Sequence, residues 1–85
     1  MESKLAQIKQ AITLALKAEQ IMVTAVNYTS EGKYNFLQIE LDKVNGLDLE
    51  TIVAATNIIN PLIDKLDLIK DSYILDVISK ERGED

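Results

Sequence analysis

The stretch "YNFLQIELDKVNGLDLETI", residues 34–52, decides how this chain is built. Residues 34–42 alternate, with Leu37, Ile39 and Leu41 pointing one way and Gln38, Glu40 and Asp42 the other. A period of two marks a strand with one face in a core and the other facing water or a partner. The pattern then changes. "KVNG", residues 43–46, reads as a turn, and Asp48 stands where a helix needs its N-cap. Leu47 and Ile52 fall at the two positions of a hydrophobic staple, and Glu50 in the first turn favours the helix dipole.

Downstream, Ile52, Ala55, Ile59, Ile63 and Leu66 continue one apolar stripe at helical spacing. Pro61 falls inside that stripe, and proline in a helix interior costs about 3 kcal/mol. Asn60 can cap a new segment that has Pro61 as its first residue, so the expectation is a kink or break at Asn60 with "PLIDKL" as a short continuation. The last strand is predicted over Tyr73–Ser79. Tyr73, Leu75 and Val77 share one face and Ile74 and Ile78 the other, which predicts the most buried strand of the sheet.

Upstream, "SEGK" (30–33) suits a tight hairpin loop, with Gly32 free to take a positive φ. The β-branched and aromatic run "IMVTAVNYT" (21–29) precedes it as a first strand. Residues 3–19 carry Leu5, Ile8, Ile12, Ala15 and Leu16 on one helical stripe, with Ser3 as N-cap. Lys4, Lys9 and Lys17 lie off the stripe on what reads as a solvated face. The order α-β-β-α-β predicts an α+β fold, a two-layer α/β sandwich whose three-stranded sheet carries two helices on one face. The domain is expected to span residues 1–79, with 80–85 as a linker stub or C-terminal tail.

At 85 residues the core is small, yet 47% hydrophobic content is enough to build one. The chain has neither His nor Cys, which removes Ser–His and Cys–His nucleophiles, disulfides and most zinc sites. Asp64, Asp67 and Asp71 lack the alternation and central glycine of a calcium loop, and Lys65 and Lys70 dilute them. Gly32, Gly46 and Gly83 are too far apart for a phosphate-binding loop or a GxxG RNA clamp. These absences point away from an enzyme, a cofactor, a metal or a small-molecule substrate. No apolar run approaches the roughly 18–20 residues that cross a bilayer, so the expectation is a soluble, cytoplasmic domain without a membrane partner.

The net charge of −5 is a poor start for autonomous nucleic-acid binding and suits a basic protein partner better. Tyr34 and Phe36 have the spacing of a base-stacking pair, but they share their face with Gln38 and Glu40, and a carboxylate repels phosphate. The hairpin tip and the turn at 43–46 put lysines and amides on exposed loops, where binding residues tend to lie.

The ordered features add a resemblance. "NYTSEGKYNFLQIELDK", "NGLDLETIVAATNIINPLID" and "DSYILDVISKERG" together resemble the N-terminal domain of the ribosome maturation factor RimP. Tyr28, Glu31, Gly32, Lys33, Phe36, Asp42, Lys43, Gly46, Asp48, Tyr73, Asp76 and Ser79 are among the residues that fit the family's places. The resemblance covers roughly residues 5–83 and implies a two-layer α/β unit with a three-stranded sheet. It also implies a non-catalytic assembly cofactor that binds the immature small (30S) ribosomal subunit through ribosomal protein, 16S rRNA or both. Family members usually continue with S-x-P-G-x-x-R into an Sm-like barrel; "SKERGED" keeps Ser79 and Gly83 but has no proline. The binding residues expected on this basis are Lys33, Tyr34, Lys43, Asn45, Ser79, Lys80 and Arg82, in a monomer. The alternative is a small acidic protein-interaction or dimerisation module unrelated to ribosomes.

Overall fold

The computed structural model describes residues 2–80. Its elements follow the order α1 (Glu2–Lys17), β1 (Met22–Glu31), β2 (Tyr34–Asp42), α2 (Leu49–Leu66) and β3 (Ile74–Ser79). The strands form one sheet in the order β1-β2-β3, with β1 antiparallel and β3 parallel to the central β2. This is the expected α+β arrangement, and α2 is the crossover that a parallel pair requires.

Ile8, Ile12 and Leu16 of α1 and Ala55, Ile59 and Ile63 of α2 are buried against Leu37, Ile39 and Leu41 of β2. Tyr28 and Leu75 flank Leu37 on the core side, Val26 and Val77 flank Ile39, and Leu41 has Val23 on one side and the exposed Ser79 on the other. Both helices therefore cover one face of the sheet. No polar or charged residue is buried among the described residues.

Local chemistry fixes the joints. The Gln20 N–H donates to the Lys17 carbonyl and the Ile21 N–H to the Leu16 carbonyl, with Gln20 at φ 62°. Those two bonds form a Schellman motif, and Leu16 and Ile21 supply its apolar contact in the core. Glu31 pairs with Tyr34 across a two-residue loop in which Gly32 has φ 60° and Lys33 does not turn positive. That combination fits the II′ hairpin type, whose first central position calls for glycine. The Gly46 N–H donates to the Lys43 carbonyl at 2.8 Å, and Asn45 at φ 74° occupies the left-handed position of this second turn. Asp48 caps α2 by accepting from the Thr51 N–H at 2.8 Å.

Three expectations change. Ser3 lies inside the first turn of α1, which begins at Glu2, so it is not the N-cap. α2 runs unbroken through Pro61. Pro61 and Asn57, whose carbonyl loses its partner, both lie on the exposed side, where water replaces the missing bond. Continuing the helix buries Ile63 and partly buries Leu62 and Leu66. At about 1.5–3 kcal/mol for each fully buried aliphatic side chain, that burial offsets the roughly 3 kcal/mol proline penalty. Finally, β2 and not β3 is the most buried strand. β3 sits at a sheet edge, and its second apolar row faces the side without helices, so Ile74 remains 47% exposed.

Candidate functional site: the two ends and the open face of the sheet

Lys33 and Tyr34 sit at the β1–β2 hairpin tip, and Tyr34 is 61% exposed. Asn35 beside them donates to the Ser72 carbonyl at 3.1 Å, which brings the approach to β3 against the tip. Tyr73 follows, half-buried. Burial, with a smaller push from the Asp64 carboxylate, raises its phenol above the ordinary value.

Lys43, Asn45, Ser79 and Lys80 gather at the other end of β2. Ser79 pairs with Leu41, and the Lys80 N–H donates to the Leu41 carbonyl at 2.7 Å, extending the ladder past the end of β3. The turn at Lys43–Gly46 starts one residue beyond β2. Asp48 lies close by. Its carboxyl is held below the usual value of 3.8 mainly by its hydrogen bonds to Thr51, with a small contribution from the Lys43 charge. An open cleft runs between the Lys43–Gly46 turn and the start of α2.

The expected site residues thus fall into two groups separated by the length of β2, roughly 25 Å at the usual strand rise. They do not form one pocket. Arg82 lies outside the described residues. Among those residues no group of His, Cys, Asp or Glu comes together to hold a metal ion, and Asp67 is paired with Lys70 at 2.8 Å.

Between the two ends lies the face of the sheet turned away from the helices, which the alternation of β2 left to water or a partner. In register across it stand Thr29–Phe36–Ile74, then Asn27–Gln38–Asp76, then Ala25–Glu40–Ile78. None of Phe36, Ile74 and Ile78 belongs to the core cluster under the helices. The alternation of β2 disclosed the polar half of this face, and "apolar on both sides" in β3 disclosed the other half. Only the sheet order shows that the second half is uncovered.

A comparison with known protein families matches residues 6–80 to the RimP N-terminal domain. The match reaches all five elements, from the second turn of α1 to the residue after β3. The chain belongs to the RimP N-terminal domain family. RimP-family membership carries a role in ribosome maturation, and the architecture is the two-layer α/β unit that the resemblance implied. Among the described residues no helix is long and apolar enough to cross a membrane.

Proposed function

We propose that this chain is a non-catalytic assembly cofactor that binds the immature small ribosomal subunit in the cytoplasm, through ribosomal protein, 16S rRNA or both. The family match over residues 6–80 carries the proposal. The chemistry agrees with it: a chain without His or Cys offers surfaces for binding and lacks the usual nucleophile–base pairs. In this reading Lys43, Asn45, Ser79 and Lys80 form a contact at one end of β2, and Lys33 with Tyr34 forms a second at the hairpin tip. Two separated contacts suit a large, rigid partner better than a small ligand, which needs groups converging on one concave site.

The test is a pelleting assay with immature small subunits at low salt, comparing the wild-type chain with Lys33→Glu and with Lys43→Glu/Lys80→Glu. Both variants are expected to bind more weakly and to show a shallower salt dependence. Binding unchanged in both would remove the two ends of β2 from the interface.

A further inference from the structure

The three strands contain Glu31, Glu40, Asp42 and Asp76 and not one lysine or arginine. All described cations lie on helices, on turns, in the loop between α2 and β3, or on the residue after β3. Among the described residues the open face is therefore acidic with apolar patches. Two of its carboxylates are held in place by neutral partners. Thr24 Oγ1 donates to Glu40 Oε1 at 2.7 Å, and Gln38 Nε2 lies 3.5 Å from Asp76 Oδ2. Neutral donors orient a carboxylate without cancelling its charge. The salt bridge between Lys70 and Asp67 lies elsewhere.

Phe36, Ile74 and Ile78 frame these carboxylates on the same face, and β3 beside them is an edge strand. Apolar area next to the oriented carboxylates of Glu40 and Asp76, which no described cation pairs with, calls for an occupant with apolar side chains and cations interspersed. Phosphate fits badly, because it would meet Glu40 and Asp76 with no described cation between them. A second copy of the same face fits badly as well, since it would bring carboxylates against carboxylates.

We propose that the open sheet face around Phe36, Ile74 and Ile78 docks a basic, lysine- or arginine-rich protein segment whose cations meet Glu40 and Asp76. This deepens the assembly-cofactor reading by naming one partner class and its place: the sheet face takes protein, and the ends of β2 make the remaining contacts. The charges set specificity and encounter rate, and the apolar row supplies the desolvated centre of the contact.

The test uses the whole chain and a short fluorescein-labelled peptide alternating lysine and valine, followed by anisotropy. Glu40→Lys/Asp76→Lys is expected to weaken binding by about tenfold or more, roughly 1.4 kcal/mol. Glu19→Lys/Asp64→Lys, which changes net charge equally but lies off the sheet, is expected to stay within about twofold. Equal losses in both variants would reduce the effect to net charge and overturn the proposal. Amide-shift mapping on the wild-type chain keeps the test independent of how the variants fold. Shifts at Phe36, Gln38, Asp76 and Ile78 support the site, and shifts confined to α1 or α2 refute it. Tighter binding of a single-stranded RNA of similar length, or a wild-type dimer that the sheet variant dissociates, also overturns it. Wild-type comigration with immature subunits that Glu40→Lys/Asp76→Lys leaves intact would sink this proposal alone. Loss of wild-type comigration would sink the assembly reading itself.

Discussion

Replacing Pro61 with alanine should make the protein more stable. Pro61 lies inside α2, twelve residues beyond its first residue Leu49, and it is exposed, so the substitution removes no buried area. A proline in a helix interior costs about 3 kcal/mol relative to alanine, through the missing N–H and the clash with the carbonyl one turn earlier. Part of the gain is returned, because alanine frees the unfolded chain by about 0.4–1 kcal/mol. The net expectation is about 2 kcal/mol of added stability. For a domain of this size each 1 kcal/mol moves Tm by about 4–8 °C, so Tm should rise by roughly 8–16 °C. Thermal unfolding followed at 222 nm, with urea titration to check that the slope is unchanged, measures this directly. A Tm that stays put or falls would refute the reasoning. It would mean that Pro61 marks a real segment boundary, and that the helix does not run on to bury Ile63 and Leu66 in the way described.

Other substitutions test other joints. The Tyr28 hydroxyl is buried on the core side of β1 without a hydrogen-bond partner among the described residues. Tyr28→Phe should therefore cost nothing and gain up to about 1 kcal/mol, whereas a loss beyond 1 kcal/mol in urea unfolding would reveal an unseen partner. Gly32 has φ 60° with open space where a Cβ would go, so Gly32→Ala meets backbone strain alone. About 1–2 kcal/mol should be lost, with amide shifts confined to the hairpin. Asp48 has its native pKa depressed, so its contribution is present above the ordinary value of 3.8 and is lost as pH falls through the lower native value. Asp67, depressed by its hydrogen bond to Lys70 and the Lys70 charge, adds in the same direction. Between about pH 4 and pH 2 the wild-type urea midpoint should fall, and Asp48→Asn should shrink that fall; an identical pH profile would count against the cap's ionic role.

Much of the architecture was legible in the chain because local rules and global packing agree at β2 and the start of α2. Leu37, Ile39 and Leu41 alternate in sequence and share one buried row, and Asp48 caps the helix its position announced. Where the two levels conflict, local rules misled. Pro61 reads as a breaker, but the apolar stripe continuing on its far side outweighs it. Gln20 gives no glycine signal, yet it takes the left-handed position that ends the first helix, because Leu16 and Ile21 meet beneath it. The apolar rows of β3 imply burial on both faces only if another layer exists, and strand order is not written in any single segment. The candidate loop residues were visible as exposed lysines and amides. That Ser79 and Lys80 join Lys43 and Asn45 at one end of β2 became visible only through the pairing of Leu41 with Ser79.

The role in ribosome maturation follows from family membership, and the action on the small subunit is the central claim built on it. Sucrose-gradient sedimentation of the chain with immature small ribosomal subunits at low salt tests that claim most directly. The chain should comigrate with the immature small-subunit peak and leave it as salt is raised. A chain that stays at the top of the gradient, with those subunits present at low salt, contradicts that claim.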